Sequence, residues 1–226
     1  LRFWFIAGAL AALMGLAQFT AARQESATFD EGPYIAAGYS HLTARDFRMN
    51  LEHPPLAKML AALPLLPLRP RLQMEHPSWE RANLLEFSEV FLYHNRVPAG
   101  TMLLAARSVT ILLTLVLGLT IATWTRHRFG AAAGLFALFL FATDANFAAH
   151  GRYVTNDVAL ALAWFAAVIA WARYLERKTF FSLLPAGAAF GLALLTKFSA
   201  ILLIPVFVIL YAWKAWQEDS PRLSLD

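Results

Sequence analysis

Cysteine is absent from the chain. That excludes disulfide cross-links and thiolate metal sites, and leaves the compartment unassigned. Charge is scarce as well: Asp, Glu, Lys and Arg make up 15% of the 226 residues. Soluble domains carry about one quarter. No internal repeat, no low-complexity tract and no H-E-x-x-H zinc motif is present. These absences argue against a disulfide-stapled secreted domain, a water-soluble globule and a conventional zinc hydrolase.

What remains is apolar. The hydrophobic share is 59%, and the mean hydropathy is +0.52. A helix crosses a bilayer with about 20 consecutive apolar residues. Runs that meet or approach this length fall at 2–20, 101–124, 130–147, 155–174, 180–195 and 198–214. The expected fold is all-α, with about six transmembrane helices. The polar pair Thr196-Lys197 separates the last two runs, which form either two helices with a tight turn or one interrupted span. Arg2 ahead of an apolar core gives the first run the look of a signal peptide. The run is long for one, and A-A-R is a weak cleavage cue, so it reads as a retained helix. From the start at Leu1 and the polar ending E-D-S-P-R-L-S-L-D, the chain is expected to be the N-terminal portion of a longer protein. Residues 1–226 are then one module: a first span at 2–20, a long loop at 21–100, and further spans over 101–214.

The net charge of +4 matters less than where the charges lie. Arg126, His127 and Arg128 form one basic cluster, and Arg173, Arg177 and Lys178 form another. Lys214 and Arg222 follow the last span. With alternating helices all of these fall on one side, and basic short loops mark the cytoplasmic side. The other face then carries the loop 21–100, the loop near 143–156 and the turn at Lys197. Within the long loop, helices are expected at Tyr34–Leu42, Pro54–Leu68 and Trp79–Tyr93. The second is apolar but too short to span, which suits an interfacial or re-entrant helix. Pro54-Pro55 is a natural helix start.

Four groups of reactive side chains gather on that face. In F-D-E-G-P-Y, Asp30 and Glu31 adjoin. Thr28 and Glu31 fit a T-x-x-E capping box, and Asp30 suits the positive helix end. The same carboxylate can accept a proton from an attacking hydroxyl. In E-H-P-P-L-A-K, Glu52 and His53 are ordinary zinc ligand types. As neighbours in an extended stretch, however, they point opposite ways. Lys58 beside an apolar helix either snorkels to water or meets an anion. In D-A-N-F-A-A-H-G-R-Y-V-T-N-D, Asp144, His150, Arg152 and Asp157 crowd one short loop. Thr155 or Asn156 can cap the following helix, and Asp157 suits its first turn. Arg152 lies outside the basic clusters, and a guanidinium fork matches phosphate. Lys197 is either a turn lysine reaching water or a second cation. The set suits a substrate with a lipid tail and an anionic phosphate.

F-D-E, then H-P-P-L-A-K, then H-G-R-Y-V-T-N-D, then T-K-F-S-A occur in this order through nearly the whole chain. This ordered set resembles the GT-C membrane glycosyltransferases, nearest the protein O-mannosyltransferase-like group, with the lipid A aminoarabinose transferases as relatives. The resemblance implies an enzyme that moves a sugar from a polyprenyl-phosphate carrier to a protein, lipid or glycan acceptor. It also implies an extracytoplasmic site in a bacterial inner or plasma membrane. Asp30 matches the catalytic aspartate and Glu31 the adjoining acid. Arg152 matches a carrier-phosphate arginine, and Lys58 the lysine of the proline element. Lys197 is a looser match. Asp157 matches an acidic position near the site, and Asp144 in the same loop is a further candidate supporting acid. Glu52 falls where the aminoarabinose transferases can hold zinc, and His53 beside it is a possible further ligand by residue type, so a divalent metal stays open and no cofactor is fixed. Nucleic acid is not an expected partner. A transporter or flippase for lipid-linked sugars and a non-catalytic assembly subunit are the competing classes.

Overall fold

The computed structural model describes residues 1–219, so Arg222 and the polar tail lie outside the described residues. Eleven α-helices follow one another, and no strand occurs among the described residues. They are α1 Arg2–Ala22, α2 Glu31–Thr43, α3 Leu56–Ala62, α4 Pro77–Glu80, α5 Leu84–Tyr93, α6 Ala99–Phe129, α7 Ala131–Thr143, α8 Ala145–His150, α9 Asp157–Arg177, α10 Phe180–Thr196 and α11 Leu203–Asp219. Short 3₁₀ turns extend α3 over Leu63–Leu65 and lead into α11 over Phe198–Leu202.

Each of the six apolar runs is helical. Four stretches are long and apolar enough to cross a bilayer: Arg2–Ala22, Ala99–Phe129, Asp157–Arg177 and Phe198–Glu218. The run expected at 130–147 is cut short. Asp144 adopts an extended backbone, and its carboxylate accepts from the N–H groups of Asn146 and Phe147. The chain therefore ends α7 and starts α8, because Asp competes well as an N-cap. At about 1.5 Å per residue, α7 reaches about 20 Å, short of the about 30 Å hydrocarbon core. Thr196 and Lys197 do separate two helices: Lys197 is extended, with φ −155° and ψ 139°, between α10 and the 3₁₀ turn.

The long loop folds into four helices. The expected Trp79–Tyr93 helix is split, because Ala82 takes φ 50° and Asn83 starts α5 by accepting from the Glu86 N–H. Helix α2 is buried over its first eleven residues, Glu31 to His41. Its Gly38 lies against the backbone of α3; a Cβ there would stand 2.0 Å from the Lys58 carbonyl oxygen. The cluster around Ile35, Leu65, Phe87, Phe91 and Met102 joins α2, α3 and α5 to the start of α6.

Antiparallel packing gives the bundle two distinct ends. Arg126 lies over the rings of Phe3 and Trp4, while Arg107 reaches the Ala22 carbonyl at the other end of α1. Arg128 pairs with Glu176, and Lys178 with Glu218. The basic clusters thus share one end. The other end receives the 23–31 segment, the 50–58 turn, the 144–157 loop and Lys197. Small residues let α9, α10 and α11 approach closely, with Ala167, Ala193 and Ala200 fully buried beside Leu203.

Candidate functional site

The end opposite the basic clusters is organised by Arg107, on the third turn of α6. Both Arg107 and Glu31 are fully buried. The Arg107 Nε donates to Glu31 Oε1 at 2.8 Å and its Nη2 to Oε2 at 2.7 Å. The remaining donors reach the carbonyls of Ala22, Glu25 and Ser26. One guanidinium therefore fixes the chain from the end of α1 to the start of α2. Glu31 also accepts from the N–H and hydroxyl of Thr28 and from the N–H of Val154. Half of the expected capping box forms: Glu31 reaches back, but the Thr28 hydroxyl donates to it instead of capping the helix. Burial pushes the Glu31 carboxyl up; the arginine and the N–H groups of Thr28 and Val154 outweigh it, so the net direction is down.

The loop after α7 enters the bundle, and span side chains satisfy its backbone. Gln18 of α1 donates to the Phe147 carbonyl at 2.8 Å, and Thr114 of α6 to the Gly151 carbonyl at 2.7 Å. Irregular backbone at such depth needs protein partners. Gly151 is required there, since a Cβ would lie 2.3 Å from the Phe147 backbone carbonyl oxygen. Arg152 leaves this loop toward Glu25, donating at 2.8 and 2.6 Å to its two oxygens, and lies over the Tyr153 ring. The Arg152 bond holds the Glu25 carboxyl below its ordinary range against a small opposing effect of burial.

A second group lies beside it. Lys197 pairs with Asp157 at 2.9 Å, bridging the ends of α9 and α10. The His53 ring is 6.0 Å from that of Tyr34. Burial, then the charges of Lys197 and Lys58, lower the His53 pKa. Burial, then the carboxylates of Asp30, Asp157 and Glu52, raise that of Tyr34. Acids from three separate segments thus bear on one buried phenol. Asp30 itself is exposed at the start of α2 and makes no capping bond with its side chain. An apolar slot of about 300 Å³ opens beside Asp157, between Leu160, Trp164 and Leu202. The indole N–H of Trp164 is buried without a protein partner.

The matching chemistry has a counterpart among known families. A family model described as dolichyl-phosphate-mannose-protein mannosyltransferase matches residues 99–223. The chain belongs to that family. It is a membrane glycosyltransferase of the mannosyltransferase type. No curated protein matches, and no solved structure matches. The mannosyltransferase match contains Asp144, Arg152, Asp157 and Lys197; Asp30, Glu31, Glu52, His53 and Lys58 precede it.

The positions expected to act in a mannosyltransferase divide in the structure. Asp30, Asp157, Lys197, Glu52 and His53 come together at one end of the bundle, with Arg152 on the same end. Glu31, expected beside the catalytic acid, is sealed inside by Arg107. Lys58, expected on phosphate, is buried and gives its three donors to the Asn50 carbonyl, the Asn50 amide oxygen and the His53 carbonyl. Burial lowers its pKa to about 8, with Glu52 acting the other way. Asp144 serves as the cap of α8. Glu52 is exposed and His53 half-buried, and no group of three or more acids and histidines placed to hold a metal occurs among the described residues. Zinc takes three or four protein ligands, so this pair by itself does not fit a metal centre. Arg107, Glu25 and Tyr34 were not among the expected residues. Arg107 carried a signal, because an arginine inside an apolar span is a functional candidate by default.

Proposed function

We propose that the protein transfers a sugar from a polyprenyl-phosphate carrier to an acceptor hydroxyl at the extracytoplasmic surface. One observation carries the reading: the first loop and the 144–157 loop are locked together at one end of the bundle. The bonds from Val154 N–H to Glu31 and from Arg152 to Glu25 tie them. The exposed Asp30 carboxylate, at the same end of the bundle as Arg152 and the Asp157–Lys197 pair, supports the reading.

In this reaction Asp30 takes the proton of the acceptor hydroxyl. The acceptor oxygen forms a bond to the anomeric carbon, with inversion. The bond from that carbon to the phosphate oxygen breaks, and its electron pair leaves with the polyprenyl phosphate. Arg152 and Lys197 meet the charge that grows on this phosphate, where preorganised donors act most strongly. Glu25 and Asp157 hold the two cations in place before the donor arrives. The donor's tail enters the apolar slot at Trp164. Lys58 shapes the Asn50–His53 turn from within, and Glu31 anchors Asp30 through Arg107. The acceptor is a protein, lipid or glycan hydroxyl.

The test uses the intact protein in proteoliposomes with a radiolabelled polyprenyl-phosphate sugar. Labelled acceptor is expected from the native protein. A general base contributes about 10²–10⁴ in rate, so Asp30→Asn is expected to lose about that factor while remaining folded. Normal transfer by Asp30→Asn overturns the assignment of the base. Movement of the carrier across the membrane without any labelled product supports a transporter instead.

A further inference from the structure

The basic end of the bundle, remote from the proposed reaction, also holds a built cleft. Two adjoining cavities open there, of about 600 and 280 Å³. They share Arg173 and Arg177, one turn apart on α9, so these arginines stand on the ridge between them. Arg128 and His127 face them from α6. Arg128 is paired with Glu176, both side chains being about half exposed. Arg173, Arg177 and His127 have no ion-pair partner among the described residues. Arg126 is turned away, over Phe3 and Trp4. Among the described residues lining the cleft, three arginines therefore face a single glutamate.

The cleft changes character with depth. Ile169 lines it about one turn below Arg173 on α9, and Leu119 and Val116 line it between about two and three and a half turns below Arg128 on α6. Trp124 stands between the levels, its ring held edge-on by Phe165. Indoles favour the level where headgroups meet hydrocarbon. The other end of α9 carries the Asp157–Lys197 pair, one 21-residue helix away. That length corresponds to about 30 Å, the thickness of the hydrocarbon core. Arg177 accordingly lies at the level of the headgroups in the opposite leaflet, with Arg173 about one turn deeper.

We propose that this cleft binds one anionic phospholipid, with its phosphate against Arg173 and Arg177 and an acyl chain along Val116, Leu119 and Ile169. Charge selects the headgroup: unpaired guanidinium groups gain more from a net negative lipid than from a zwitterion. The apolar wall selects a lipid over a free anion, which has no use for it. The site is separate from the proposed transfer reaction and stands or falls independently of it.

Native mass spectrometry of the intact protein with equal phosphatidylglycerol and phosphatidylcholine tests the proposal. The native protein is expected to retain one phosphatidylglycerol in preference. Each basic group near an anionic lipid contributes about fivefold, so R173Q/R177Q should lower that retention about 25-fold. R173K/R177K should keep most of it, because the charge stays. Should the glutamine variant not fold, the native protein still decides: its preference must fall as salt rises from about 0.05 to about 0.5 M. Equal retention of the two lipids, a preference insensitive to salt, or unchanged retention in a folded R173Q/R177Q each overturns the proposal. Displacement of the lipid by about 1 mM inorganic phosphate also overturns it, and marks a small-anion site.

Discussion

Arg107→Leu removes the one cation that offsets a fully buried carboxylate. The loss is larger than that of a surface ion pair because Glu31 stays inside without its counter-charge. Breaking a buried pair from one side costs about 3–5 kcal/mol. The bonds to the Ala22, Glu25 and Ser26 carbonyls vanish as well, so the upper part of that range is expected. The sign of the pH dependence should also reverse. In the native protein the Glu31 pKa is lowered, so its stabilising contribution is present above the unfolded pKa and is lost as acid brings the pH down through the folded one. In the variant, burial, the largest single effect, is opposed only by the donors of Thr28 and Val154, and the folded pKa is expected to rise above the unfolded one. Stability then increases toward low pH and is lost as pH climbs through the raised value. Denaturant titration in detergent at pH 5 and pH 8 reads both effects. Glu31→Gln in the Arg107→Leu background should recover part of the loss, since a neutral amide is cheaper to bury. A loss below about 1 kcal/mol, the range of exposed ion pairs, refutes the reasoning. So does a variant that is no more stable at pH 5 than at pH 8.

Further outcomes follow from the same contacts. Arg152→Ala should raise the donor KM more than it lowers kcat, measured by initial rates with labelled donor, because Arg152 is assigned to the carrier phosphate. Glu25→Gln should weaken the hold on Arg152 and shift the donor KM with little change in fold; an unchanged KM in both variants removes Arg152 from the donor site. Gly38→Ala places a Cβ 2.0 Å from the Lys58 carbonyl oxygen, and overpacking of this kind costs about 1–3 kcal/mol, visible as a lowered unfolding midpoint. Trp164→Ala, which enlarges the slot beside Asp157, should change the preference among carriers of different chain length without altering transfer to a given acceptor.

Much of the architecture was legible without coordinates. Apolar runs of bilayer length specify helices whatever their neighbours, because an unpaired peptide group in hydrocarbon is too costly to leave. The basic clusters at 126–128 and 173–178 likewise announced a shared end. Local rules failed where a polar residue inside an apolar run found a local use. Asp144 ended α7 early by capping α8, and Ala82 with Asn83 broke the helix expected over 79–93.

The site divides along the same line. Sequence alone singled out Asp30, Glu31, Glu52, His53, Lys58, Asp144, Arg152, Asp157 and Lys197 as candidates near helix ends, since charge in an apolar chain is conspicuous. It could not assign their partners. Lys58 and Arg152 are both cations beside apolar helices, yet Lys58 is enclosed by backbone carbonyls and Arg152 meets a carboxylate 127 residues away. Asp30 and Glu31 are neighbours in sequence, but one faces solvent and the other is fully buried against Arg107. Composition and periodicity determined that this chain is a bundle of membrane helices with charged ends. Only the tertiary structure decided which charges pair with one another and which stay exposed, because that depends on distances between segments far apart in the chain.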